Sequence, residues 1–371
     1  MVDTGLRVLI VGAGIAGLAV ARSLRVAGYR PDVVERHPAG PVAGAGIYLP
    51  GNALRALREL GLAEPLRPFG ATIDRQVFRT AAGEPLCELD VAELWSGVGE
   101  CRALSRADLH RVMLTGAGGA VRFGIGVTGL VPAGEAVDVS FSDGSAGVYD
   151  LVIGADGRRS TVRDLARLGG PAKPVGQFAY RSVISGAPGP KHWTALFGER
   201  AGFVAMPMGA GQVYCYAEEA VPPGAPAPQE PLCRFRELFG GYGDPVPGLL
   251  EAAEKVAVAV IEEVDIDRWY HGRVVLIGDA AHATSPNLAQ GAAMALEDAL
   301  VLADALVTTG AVPAALAVYE ARRRPRTKWL LAQTRRRDRT RDLTPALRDP
   351  MIRRLGDQIF AGHYRRLLPP R

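Results

Sequence analysis

A buried strand that runs straight into three spaced glycines constrains this chain more than any other feature. "LRVLIV" (Leu6–Val11) is followed by "GAGIAG" and an amphipathic stretch to Ala27. A continuous apolar run suits a parallel strand covered on both faces. Gly12, Gly14 and Gly17 then meet the G-x-G-x-x-G spacing. The first permits a tight turn, the second lets backbone approach a pyrophosphate, and the third packs helix against strand. The helix N-terminus adds unpaired N–H groups and a partial positive charge for phosphates. A second strand, "DVVER", ends in Glu35, 21 residues after Gly14, where a carboxylate accepts hydrogen bonds from a ribose diol. Strand, glycine turn, helix and acid in this order predict a dinucleotide-binding βαβ unit.

Two further apolar strands end the same way. Leu151–Ile153 runs into "GADGRRSTVR" and Val274–Ile277 into "GDAAH". Strands of one parallel sheet share polarity, so all three glycine-rich ends should lie along one carboxyl edge, where open α/β sheets bind ligands. Three such ends far apart in sequence imply one long cofactor touching several loops.

Composition removes several alternatives. No run of about 18 uncharged apolar residues is present, so no transmembrane helix is expected. "MVDTGLRVLIVGAG" lacks a basic segment followed by a cleavage site, and a cytoplasmic location is expected. Cys87, Cys101, Cys215 and Cys233 show no metal-ligand or C-x-x-C spacing and read as incidental thiols, with no metal site. Residues 311–371 carry 16 Lys and Arg against 5 Asp and Glu, while the rest of the chain is net acidic. "RRRPR" and "RRRDR" alternate with helix formers and acids, so a solvated helical face is expected there, not a nucleic-acid partner.

The motifs stand in the order of a known family: "GAGIAG" with Glu35, "LSRADLHRVML", "GADGRRSTVR" and "GDAAHATSPNLAQGAAMALEDA". From about Leu6 to about Arg326 the chain resembles the class A flavin-dependent monooxygenases, the para-hydroxybenzoate hydroxylase-like group that includes urate and salicylate hydroxylases. The resemblance implies an α/β fold in which a Rossmann-like FAD-binding domain is interleaved with an antiparallel-sheet substrate domain. The FAD-binding domain would comprise residues 1–72, 101–170 and 271–371 with the C-terminal helices; the substrate domain, residues 73–100 and 171–270. Breaks in the C-terminal helices are expected near Pro313, Pro325 and Pro345.

Carried over by position, the resemblance implies that Gly14, Ile15, Ala16 and Gly17 cradle the FAD pyrophosphate. Glu35, with Arg36 beside it, would bind the adenosine ribose. Arg106 would reach the pyrophosphate and ribityl region, and Val127 would lie against the adenine. Asp156 would brace the loops at the cofactor, and Asp279 would bond a ribityl hydroxyl. Gly291 and Ala292 would offer helix N-terminal N–H groups to the flavin pyrimidine, stabilising negative charge on the reduced ring. His282 is expected to pin its loop by hydrogen bonding to nearby backbone, and the acids of "EEVDIDRW" and "LEDA" to sit on a surface strand and a helix face.

The implied activity is that of a single-component monooxygenase. NADH or NADPH reduces FAD, O2 adds as co-substrate to form the flavin C4a-hydroperoxide, and an aromatic or polycyclic small molecule is hydroxylated or epoxidised. One dinucleotide fingerprint, not two, means that the hydride donor binds transiently. The protein is expected to be a monomer or homodimer. No catalytic side chain is identified; candidates for the substrate pocket are Tyr180, Arg181, Phe203, Met206, Tyr214, Tyr216, Pro286 and Asn287, with Tyr214 and Tyr216 on one strand face. The alternative is a same-fold flavin oxidoreductase without oxygen transfer, an alkene reductase or dehydrogenase. A halogenase would carry a W-x-W-x-I-P motif, and Trp95, Trp193, Trp269 and Trp329 stand in no such context. One departure is visible: Ala289 stands where the family usually has glycine, which predicts an ordinary backbone conformation or a small displacement of the loop.

Overall fold

The strand Val8–Val11 is paired on both sides, in parallel, with Leu151–Gly154 and Asp32–Glu35. Its four residues are all buried, as a strand covered on both faces requires. Extending the sheet, Leu151–Gly154 pairs in parallel with Val274–Leu276 and Asp32–Glu35 with Val121–Phe123. Tyr270–His271 adds an antiparallel edge, giving six strands. The computed structural model describes residues 5–38, 46–222 and 224–368; residues 1–4, where a leader would begin, lie outside them. Because the three glycine-ended strands run parallel and adjacent, their carboxyl ends share one edge, as the motifs predicted.

A second, seven-stranded sheet faces this edge. Its order is Ala257–Glu263, Lys173–Ser185, Gln212–Ala220, Ala201–Pro207, Trp193–Phe197, Arg75–Thr80 and Pro85–Asp90. Neighbours are antiparallel except Trp193–Phe197 and Arg75–Thr80, which run parallel. The back of this sheet carries its own core, in which Phe203, Cys215 and Ala217 meet Phe235, Phe239 and Leu249 from the helices Pro231–Phe239 and Val246–Ala252. The front face is left to line the space between the two sheets.

The helix Ile15–Val26 packs against Gly291–Thr309, which in turn carries Val312–Arg339. The expected break at Pro325 is absent: the helix Val312–Arg339 runs unbroken through it for 28 residues. A proline inside a helix costs about 3 kcal/mol. On either side of it, Arg323 and Arg326 are tied to Glu297 of the neighbouring helix, and these ties offset that cost. Pro313 and Pro345 instead sit in the first turns of their helices, where the missing N–H is not needed. The helix Pro345–Gly362 packs on the strand Pro85–Asp90 of the second sheet. Among the described residues no helix is long and apolar enough to cross a membrane.

Candidate active site

The glycine turn is built by sterics. Gly12 has φ +108°, and a Cβ there would lie 2.5 Å from the Ala155 carbonyl oxygen. A Cβ on Gly17 would lie 1.8 Å from the Gly12 carbonyl oxygen, so both positions exclude any side chain. Gly14 differs: nothing lies within 4 Å of its Cβ position. It precedes the first helical residue, Ile15, and no side chain caps the helix. Open space over uncapped N–H groups is the geometry of an anion site. Glu35 braces the turn, accepting hydrogen bonds from the N–H groups of Ala13 and His37, each at 2.9 Å. Arg36 is exposed beside it, and a Cβ on Gly126, next to the buried Val127, would lie 3.7 Å from that of Arg36.

The second glycine-ended strand supplies Asp156. Its carboxylate accepts the Ser160 hydroxyl at 2.5 Å and the Val162 N–H at 3.1 Å, locking the "GRRS" loop. Burial raises its carboxyl above the ordinary value, against the pull of these hydrogen bonds. At the third, Gly278 turns with φ +59° into the short helix Asp279–His282. A 3₁₀ turn, Pro286–Leu288, then leads to the helix Gly291–Thr309, whose N-terminus also has no side-chain cap.

These ends open on one cavity of about 640 Å³, within the range of sites that bury cofactor-sized ligands. Gly14, Ile15 and Ala16 line it together with Arg106, Asp279, Gly291 and Ala292. Opposite stand Arg181, Met206, Tyr214 and Tyr216, with Pro286 and Asn287. The Tyr216 hydroxyl donates to Asn287 Oδ1 at 3.3 Å, while the Asn287 amide donates to Asp338. The Arg181 guanidinium carbon lies 5.8 Å from the Tyr216 ring centroid.

Comparison with known proteins agrees with this geometry. The sequence profile of the FAD binding domain family matches residues 5–334. The chain belongs to the FAD-binding monooxygenase family.

The monooxygenase is 32% identical to an FAD-dependent urate hydroxylase of Klebsiella pneumoniae, over 96% of this chain and 97% of that protein. It is 35% identical to the 3-amino-4-hydroxybenzoate 2-monooxygenase of Streptomyces cremeus, over 91% of this chain and 88% of that protein. Klebsiella pneumoniae HpxO, solved with FAD and uric acid, superposes with a TM-score of 0.84 at 28% identity, covering 98% and 95% of the two chains. The family identity makes the protein an FAD-dependent monooxygenase that hydroxylates aromatic substrates. Its residues fit FAD: Gly14 leaves the room a diphosphate needs, and the Thr284 hydroxyl on the cavity wall has no partner among the described residues.

Several expected residues of the monooxygenase lie elsewhere. Gly12, Gly17, Glu35, Arg36, Val127 and Asp156 do not line this cavity; Gly12, Gly17, Glu35 and Asp156 instead shape the turns that do. Tyr180 does not reach the cavity: its ring packs toward Phe235 on the back of the sheet, and its hydroxyl donates to Glu219. Phe203 touches the cavity edge, but its ring meets Phe235 and Phe239 on that same back face. The reason is the two-residue period of a strand. Arg181 and Tyr180 are neighbours and must point to opposite faces. Tyr214 and Tyr216 share the front as expected.

The acids of "LEDA" are not a solvated face. Glu297 and Asp298 are 1% and 0% exposed, and Arg323 of "RRRPR" is 0% exposed. Arg323 donates to Asp298 at 2.7 Å and Glu297 at 2.6 Å; Arg326 clasps both Glu297 oxygens at 2.8 and 2.9 Å. His282 binds the Asp298 side chain at 2.6 Å, not backbone, and Asp298 also accepts the Gly278 N–H at 2.8 Å. Burial alone would raise the Asp298 carboxyl, but the charges of His282 and Arg323 outweigh it and bring it to about 2. Asn52 joins the cluster through Glu297 and the Gln290 amide. The cluster therefore ties the "GD" turn to the start of the helix at Gly291.

Sequence reading missed other cavity residues. Gln76 and Phe78 share a strand face and could have been found by alternation. Ala289 takes the left-handed conformation, φ 52° and ψ 31°, that glycine would adopt more cheaply, which corrects the ordinary backbone expected there. Arg337 and His363, on the cavity wall, carry no sequence signal, because the path of the C-terminal helices brings them there.

Proposed function

We propose that the protein is a single-component monooxygenase that uses NADH or NADPH and O2 to hydroxylate, or epoxidise, an aromatic or polycyclic small molecule. The observation that carries the reading is one cavity joining an uncapped glycine-turn helix, an uncapped second helix and a wall of aromatic, amide and guanidinium groups. Bound FAD would supply hydride acceptance from the nicotinamide and activation of O2. The protein's part is to hold, orient and keep dry. Gly14, Ile15 and Ala16 would hold the diphosphate, with Arg106 adding positive charge, and Asp279 would bond the ribityl chain. Gly291 and Ala292 would place helix N-terminal N–H groups against the pyrimidine, favouring its anionic reduced form.

On the substrate side, the Tyr216–Asn287 pair fixes a hydroxyl and an amide that can orient a ring oxygen without acting as a base. Met206, Tyr214 and the buried front of the sheet exclude water, which protects the activated oxygen from unproductive loss. The four thiols are free, which supports a reducing, cytoplasmic setting. The test is purification with FAD, aromatic-stimulated NAD(P)H oxidation, and incorporation of one labelled oxygen atom from O2 into the product. Substrate-stimulated turnover that persists without O2 and adds no oxygen would favour the reductase alternative.

A further inference from the structure

Where the strands Arg75–Thr80 and Trp193–Phe197 line the cavity, the C-terminal helix closes it. Phe360 of that helix stacks on Phe78, with ring centroids 3.9 Å apart and planes at 8°. Phe78 also meets Trp193 at 5.4 Å and Phe197 at 5.8 Å. The Arg337 guanidinium lies over Phe197 at 5.0 Å and Phe360 at 5.7 Å. The result is a compartment with flat aromatic walls and one cationic edge.

His363 follows the helix and faces the same space. It is 5% exposed, its ring centroid is 6.4 Å from that of Phe360, and neither ring nitrogen has a hydrogen-bond partner among the described residues. Native interiors seldom leave a buried polar group unpaired, because its desolvation is then uncompensated. An apolar side chain would fill this place without that cost. Burial, with the charges of Arg337 and Arg336, pushes the imidazole down to about 4. The ring is therefore neutral at physiological pH and carries one N–H donor. Glu218, an acid on the same cavity wall, sits on Gln212–Ala220, with Ala201–Pro207 and Trp193–Phe197 between it and Arg75–Thr80. A neutral donor beside the charges of Arg337 and Arg336 suits an anionic oxygen.

We propose that His363, with Arg337 beside it, receives a carboxylate or phenolate oxygen of an aromatic substrate whose ring lies against Phe78, Trp193 and Phe197. The inference rests on the monooxygenase reading above and narrows its substrates to acidic aromatics.

The test uses the FAD-loaded protein with salicylate and anthranilate as probes, and their neutral amides as controls. Dissociation constants come from the change in the visible flavin spectrum, with NAD(P)H oxidation and thermal unfolding followed in parallel. The wild type should prefer each acid to its amide. His363→Phe should weaken acid binding by about ten- to hundredfold, the loss of one charge-assisted hydrogen bond. It should keep FAD affinity and unfold no earlier, since phenylalanine removes the unpaired nitrogens. His363→Gln, which retains a donor, should recover most of the affinity. Unchanged acid binding in His363→Phe, with or without a lower unfolding midpoint, overturns the proposal. So does equal wild-type affinity for acids and amides, or binding of amides alone, although stimulated turnover then leaves the monooxygenase reading intact. A loaded wild type whose NAD(P)H oxidation responds to neither acids nor amides counts against the reading itself, and the proposal falls with it.

Discussion

Arg323→Met tests whether the buried charge cluster holds the cofactor end of the molecule together. Methionine keeps much of the volume and removes the charge. Wild-type Arg323 is 0% exposed and bonds both Glu297 and Asp298. Breaking a buried ion pair on one side costs about 3–5 kcal/mol, because the partner charge stays buried. Glu297 retains Arg326, and Asp298 retains His282 and the Gly278 N–H. The low end, about 3 kcal/mol, is therefore expected. At roughly 2 °C per kcal/mol for a chain of this size, the unfolding midpoint should fall by about 6 °C. FAD affinity should fall as well, since Asp298 positions the Gly278 turn and Glu297 the helix that starts at Gly291.

The same site has a pH signature. Asp298 is depressed to about 2 in the fold, against about 3.9 when unfolded. The unfolded chain thus takes up the proton first, and the stability present above pH ~4 is lost as pH falls toward 2, by roughly 2–3 kcal/mol. In Arg323→Met the folded-state depression shrinks, so that loss should be smaller and complete at a higher pH. Arg322→Met, one residue away in an exposed pair with Asp304, should change stability by less than about 1 kcal/mol. Thermal and urea unfolding with and without FAD measure all of this. An Arg323→Met midpoint within about 1 °C of wild type would refute the reasoning, as would equal effects of the two arginine substitutions.

Other outcomes follow from single positions. Gly14→Ala should leave the fold intact, since its Cβ meets nothing within 4 Å, yet weaken FAD binding by about tenfold or more through the methyl in the diphosphate space; Gly17→Ala, with a Cβ 1.8 Å from a carbonyl oxygen, should fail to fold, as circular dichroism would show. Ala289→Gly should stabilise the protein by about 1 kcal/mol by relieving the left-handed alanine, and should alter the fraction of NAD(P)H oxidation that yields product; a lower unfolding midpoint would contradict the first part. Because His363 titrates near 4 in the fold and about 6.5 unfolded, stability should decline as pH falls from about 6.5 to 4, by at most ~3 kcal/mol. His363→Phe should flatten that decline in a pH series of urea melts.

The sequence by itself determined the parallel sheet and its shared carboxyl edge, because both depend on local chemistry. A strand ending in glycine, a helix start without a side-chain cap and an acid at the next strand end can be read over a few dozen residues. Strand alternation likewise put Tyr214 and Tyr216 together, though it could not say that Tyr180 faces the second core, since the face that meets the cavity is chosen by the helices packed behind. Tertiary structure alone decided three things. It buried Glu297, Asp298 and Arg323, whose charge made them look solvated, because three elements converge on them with complementary partners. It carried the helix Val312–Arg339 through Pro325, where ties across to a neighbouring helix outweigh the local penalty. And it brought the C-terminal Phe360 and His363 onto a sheet strand nearly three hundred residues earlier, a meeting that no local pattern encodes because neither partner has its environment until the chain has closed on itself.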